Sequence, residues 1–315
     1  MKRGTSLILR CSTLPHSPLN AMTPDDGSGG VDDAVLATVA RLRSRFRGAL
    51  LGLAIGDALA APAQYARSGS FPPVKDLLGG GPYDLPAGAW TDDTALALLL
   101  ARSLLTSQGC HAADQLEWYR RWQRNGAGSA TGECLGITAS VSRALVDGAP
   151  AKDLADGADA LVRVAPLAIW HYASADSLFD DLPIMLGVTS HAPETLAATR
   201  EFAALMHRAL RGLPLVATGS MSELTAGPCA AARALAMARD AVEGAQNWKD
   251  AVLMAINAGG DADVHGAAAG QLAGAVFGIE SIPAPWLAIL VGREQIESLA
   301  DELLTEVLVR LGDAT

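Results

Sequence analysis

Two pairs of aspartates stand far apart in this 315-residue chain, each at the entrance of an apolar run. Thr91-Asp92-Asp93-Thr94 leads into Ala95-Leu96-Ala97-Leu98-Leu99-Leu100, and Gly259-Gly260-Asp261-Ala262-Asp263 leads into a segment rich in Ala and Gly. Acids in a first helical turn are favoured by the unpaired N–H groups and the positive end of the helix dipole, so either pair alone reads as capping. Both together, with Gly259-Gly260 supplying a tight turn, read as the halves of one site. Brought within a few ångströms, Asp92, Asp93, Asp261 and Asp263 would repel one another and take up protons unless a cation neutralised them. All the candidate ligands are oxygens, with Thr91 adding a hydroxyl. That donor set suits Mg²⁺, Mn²⁺ or Ca²⁺ rather than zinc. Four acids are enough to hold two ions through shared ligands.

The elements that must position these acids are helical. Apolar residues recur at three- and four-residue spacing over 45–61, 93–106, 112–124, 133–147, 193–211, 229–243, 247–257, 264–278 and 292–311. Alternating Val/Ile-rich runs are nearly absent, so the expected fold class is all-α, a single multi-helix domain over residues 38–315. Residues 1–37, rich in Pro, Ser, Gly and Asp up to about Asp33, read as a flexible leader, with Met22 a possible start. Gly48, Gly52, Gly56 and Ala60 recur every four residues, as do Gly266, Gly270, Gly274 and Gly278. Each interior glycine costs a helix about 1 kcal/mol against alanine, which close helix–helix packing must return. These two helices are therefore expected to be central.

Half the residues are apolar but only 5% are aromatic, so the core is expected to be built from Ala, Leu and Val. The net charge of -10 excludes the cationic face that a nucleic acid duplex requires. No segment reads as membrane-spanning. Cys11, Cys110, Cys134 and Cys229 lack CxxC spacing and suggest reduced thiols in a cytoplasmic protein.

The order of five segments resembles the ADP-ribosylglycohydrolases, relatives of the dinitrogenase-reductase-activating glycohydrolase. These segments are Gly48 to Ala58, Trp90-Thr91-Asp92-Asp93-Thr94, Arg163-Val164-Ala165-Pro166-Leu167, Thr189-Ser190-His191 and Ala255 to Asp263, matching from about Phe46 to Trp286. The resemblance implies an all-α fold around a binuclear Mg²⁺ or Mn²⁺ centre. It implies metal ligands at Thr91, Asp92, Asp93, Asp261 and Asp263, with Asp92 and Asp93 as catalytic carboxylates. It further implies that water displaces the group attached to the anomeric carbon of ADP-ribose, on an ADP-ribosylated protein or small molecule.

The departures from the family pattern fall at working positions. Gln64 stands where a Glu is usual, and Val264 where a Thr is usual. Gly136-Ile137-Thr138-Ala139 replaces Asp-Ile-Gly-Asn, and Gly157-Ala158-Asp159 replaces Gly-Asn-Gly. Losing a general base slows a reaction by about 10² to 10⁴-fold; Glu133, Asp159 and His265 are the conceivable replacements. Gln64, Trp90, Gly136, Asp159, Arg163 and His191 are the expected substrate-facing residues. Three of them also have a plainer role: core packing for Trp90, a structural ion pair for Arg163, helix capping for His191. Asp57 is expected to bond nearby backbone, and Trp118, Tyr119 and Trp122 to pack. His265 reads equally as bonded to a carboxylate or exposed. The reading is a metal-dependent glycosidic hydrolase. The alternative is a catalytically impaired relative that binds ADP-ribose, metal or a protein partner, with a two-metal phosphohydrolase as a third possibility.

Overall fold

In the computed structural model, residues 29–150, 158–216 and 229–313 are described, with side chains from residue 33 onward. The start of the expected leader, with Cys11 and Met22, and Gly157 of the altered substrate loop lie outside the described residues. The chain divides into two units, Met1–Ala37 and Thr38–Thr315, and the second holds the hydrophobic core and the acidic segments.

The described residues form helices and no β-strand. In chain order these are α1 (Gly29–Leu59), α2 (Asp92–Ser107), α3 (Ala112–Asn125), α4 (Ala139–Asp147), α5 (Asp159–Val162), α6 (Val164–Trp170) and α7 (Ala175–Leu186). They continue with α8 (Pro193–Leu210), α9 (Ala230–Gly244), α10 (Trp248–Asn257), α11 (Ala262–Phe277), α12 (Ala284–Ile289) and α13 (Arg293–Asp313). The nine sequence-derived ranges each meet one of these, with two shifts: α1 begins at Gly29 rather than 45, inside the stretch expected to be a flexible leader, and 133–138 is loop, so that α4 begins at Ala139. Of the four helices not anticipated, α5, α6 and α12 are short and the first two are buried throughout, while α7 runs twelve residues with Pro183 in its interior. A helix apolar on every side carries no period to read.

The glycine stripes meet each other. A Cβ on Gly48, Gly52 or Gly56 would fall on the carbonyl oxygen of Gly274, Gly270 or Gly266 respectively, and the reverse holds. The α1 and α11 backbones therefore touch along antiparallel glycine faces. Trp248 seals the seam by donating its Nε1–H to the Gly270 carbonyl at 2.9 Å. Arg47 of α1 forks to Asp301 at 2.7 Å and Glu297 at 3.1 Å, fixing α13 on the same core. Tyr119 and Trp122 pack fully buried, while Trp118 is only half-buried beneath Arg121. No helix of the described residues is long and apolar enough to cross a membrane.

Candidate active site

Asp92 and Asp93 open α2, Asp263 lies in the first turn of α11, and Asp159 is the first residue of α5. All four are buried, so three helix starts bring their positive ends to one place. They line a pocket of about 100 Å³ together with Tyr65, Gly136, Thr138, Ala158, Ala230, Asp261 and Val264.

The local chemistry explains how the acids are held. Asp57, at the end of α1's glycine stripe, accepts from Thr91 N, Thr91 Oγ1, Thr94 N and Thr94 Oγ1 at 2.7–3.1 Å. Its partners lie across the structure, not on the nearby backbone expected from its position. It clamps the α2 start to α1. The Gly259–Gly260 turn, with both residues at positive φ, docks on the segment after α1: Tyr65 N donates to Gly260 O and Gly260 N to Ala66 O. Gln64, in that segment, gives its amide N–H to Asp263 Oδ2.

Burial raises the proton affinity of these carboxylates. Burial first, then the nearby Asp263 charge, holds Asp92 well above the usual carboxylate range; burial and then Asp92 do the same to Asp93. Asp263 is pushed up to about 7, mainly by burial and then by Asp57. Burial likewise raises Asp57 against its four donors. Three oxygens in this group, Asp93 Oδ2, Asp159 Oδ1 and Asp263 Oδ1, are buried without a hydrogen-bond partner. A buried acceptor left bare costs about 1–3 kcal/mol.

Among the described residues, no three His, Cys, Asp or Glu side chains converge into a ready-made ligand set. The donor chemistry nonetheless fits a hard divalent cation: bare, mutually repelling carboxylate oxygens and, among the described residues, no thiol or imidazole on the pocket wall.

The sequence-derived residues are distributed unevenly. Asp92, Asp93, Asp159, Asp261, Asp263 and Gly136 line the pocket, and Gln64 touches it through Asp263. Asp261 sits at the edge, its side chain 46% exposed and 3.9 Å from Arg233. Thr91 spends its hydroxyl hydrogen on Asp57. Trp90 is in the core, donating to Val291 O at 2.9 Å beside a different cavity shared with Trp118. Arg163 is fully buried and holds Asp159 at 2.6 Å. His191 is exposed and does not cap α8, whose N-cap Ala192 has no side-chain cap; just before the helix Ser190 Oγ accepts from Ala192 N. Of the conceivable replacement groups, Glu133 is exposed and His265 is buried with a bare Nδ1, its charging disfavoured chiefly by burial. Gly136 is at φ 85°, and a Cβ there would fall on Asp92 Oδ1, so Asp92 fills the space a residue-136 side chain would use.

Tyr65 was not anticipated. It is 55% exposed at the pocket mouth, in the left-handed region at φ 62°, with its hydroxyl 3.5 Å from that of Tyr83. Its phenol is held protonated by burial, by Tyr83 and then by the Asp263 and Asp92 charges. A strained, non-glycine residue beside an acidic pocket is the kind of signal that emerges only in three dimensions.

Fold and pocket together define an all-helical protein whose buried acids converge at helix starts. The ADP-ribosylglycohydrolase family model matches residues 38–226 and 216–311, and the chain belongs to that family of hydrolytic enzymes. It is 33% identical over 287 residues to the ADP-ribosylarginine hydrolase Tri1 of Serratia proteamaculans, covering 82% of this chain and 78% of that protein. It is 27% identical over 270 residues to the ADP-ribosyl-[dinitrogen reductase] glycohydrolase of Rhodospirillum rubrum, covering 79% and 91% respectively. A solved structure, an ADP-ribosylglycohydrolase-related protein complex, matches with a TM-score of 0.74 and 35% identity over 85% of this chain and 99% of that one.

Proposed function

We propose that this chain hydrolyses the N-glycosidic bond joining ADP-ribose to an arginine side chain. The observation that carries the reading is the pocket itself: four buried acids at three helix starts, with three bare oxygens, in a member of this family. Two relatives named as ADP-ribosylarginine hydrolases support the arginine linkage.

Asp92, Asp93 and Asp263 would hold Mg²⁺ or Mn²⁺, two ions in the fullest arrangement, with Asp261 and Thr91 as the outer candidates. Bound there, the ions would polarise the ribose hydroxyls and acidify water. The chain's own part is proton handling and placement. Asp93, which lines the pocket with its Oδ2 unpartnered, accepts a proton from the attacking water. The water oxygen bonds to the anomeric carbon as the carbon–nitrogen bond breaks. The bonding pair stays on the guanidine nitrogen, which takes up a proton, and ADP-ribose and arginine are released. The unpaired thiols of Cys110, Cys134 and Cys229 support work in the reducing cytoplasm.

The test is release of ADP-ribose from an ADP-ribosylated arginine peptide. Turnover with Mg²⁺ or Mn²⁺, abolished by EDTA, is expected. Binding of ADP-ribose without any product under both metals would overturn the hydrolase reading and leave a binding protein. Release of AMP instead would indicate a phosphohydrolase.

A further inference from the structure

Asp159 is a buried carboxylate divided between two tasks. Its Oδ2 receives Arg163 Nη1 at 2.6 Å and Thr189 Oγ1 at 2.8 Å. Its Oδ1 is bare, and the residue lines the acidic pocket. The bracket behind it is rigid: Arg163 also donates to Thr189 Oγ1 at 2.6 Å and Met185 O at 3.2 Å, and lies over the Tyr119 ring. Gln271 of α11 pins the joint between α5 and α6 by accepting from Ala165 N and donating to Val162 O. Rotating the carboxylate would break both of its bonds.

Burying an ion pair brings little stability, because desolvation offsets the attraction. A buried acceptor left bare is a further cost and calls for a partner. We propose that the partner is the guanidinium of the arginine being freed, and that Asp159 is the residue that selects a cationic acceptor. The inference rests on the hydrolase reading above. A sugar hydroxyl would be served as well by a backbone carbonyl or an amide. A fixed carboxylate is matched to a charged planar donor, whose bonds are about twice as strong as neutral ones. Among the described residues, no lysine or arginine lines the pocket to compete for the bare oxygen of Asp159. Gly136, which leaves its space to Asp92, presents no rival side chain.

Two measurements on the Mn²⁺-loaded protein test this. The first needs no variant: calorimetric binding of agmatine against N-carbamoylputrescine, its urea counterpart. Agmatine is expected to bind about tenfold more tightly, the 1.4 kcal/mol expected of one charge-assisted contact. Equal binding, or none, overturns the proposal. The second compares wild type with Asp159→Asn. The expected result is a KM for the arginine-linked substrate raised about tenfold, an affinity for free ADP-ribose unchanged within about twofold, and loss of the agmatine preference. An unchanged KM, or an ADP-ribose affinity that falls in step with KM, contradicts the assignment. Hydrolysis failing while the agmatine preference persists would remove the reaction and keep the subsite. Hydrolysis present without the preference would do the reverse.

Discussion

Helix α11 joins two regions built on opposite terms. Along its glycine face it meets α1 so closely that the backbone carbonyls fill the space of missing side chains, and Trp248 satisfies one of them directly. At its N-terminus, one turn away, it carries Asp263 into a pocket of buried carboxylates with three bare oxygens. The seam has every group placed for packing, and the pocket has charges placed against their own interest. Rigid surroundings are what allow such a pocket to persist without a partner. The same contrast appears on α1, whose glycine stripe runs directly into Asp57 and its four donors.

The contrast can be broken most severely at the acids. Asp93→Asn should lower ADP-ribose release by about 10² to 10⁴-fold, while in EDTA the variant melts at a higher temperature than wild type, since a neutral isostere removes a repelled buried charge. A lower melting temperature would mean the pocket is not under electrostatic strain. Next comes the bracket that spans the two regimes. Arg163→Met leaves Asp159 buried and unpaired and should cost about 3–5 kcal/mol in denaturant unfolding. Replacing Asp159 by Leu in the same variant should recover most of that loss. On the seam, Gly270→Val should destabilise by about 3 kcal/mol, because its Cβ meets the Gly52 carbonyl. Protein that still folds should keep its KM, since the seam touches no substrate.

The smallest effect is a pH difference. Asp263, held up to about 7 in the folded protein, prefers its proton there more than it does unfolded. Stability attributable to it is therefore fully present below the unfolded carboxylate range of about 4 and is lost as pH rises through 7. In EDTA, Asp263→Asn should match wild type near pH 4 and exceed it increasingly toward pH 8, read as melting temperatures. His171 and His207, whose charging burial disfavours, act in the opposite sense in both proteins and cancel from the difference.

Much of the seam and half of the pocket were legible in the sequence. The four-residue glycine repeats and the doubled acids before apolar runs are periodic or local signals, and both survive folding intact. Asp159 stood out only as a departure from the family pattern. Its bond to Arg163 spans one helical turn, but its second donor, Thr189, is thirty residues away. Asp57's partners at Thr91 and Thr94 and the mouth position of Tyr65 are likewise products of tertiary contact. Trp90 and His191 show the converse. Their neighbours in sequence are informative, yet one side chain turns into the core and the other to solvent.

The role proposed for the acidic pocket requires that it take up a divalent cation when one is offered. Calorimetric titration of the EDTA-stripped protein with Mn²⁺ puts this to the test. Saturable binding that raises the melting temperature is expected, weakened about tenfold or more in Asp263→Asn. Millimolar Mn²⁺ that produces neither heat nor a melting shift, or that binds the variant as tightly as wild type, would show that the carboxylates converge for some purpose other than holding a metal.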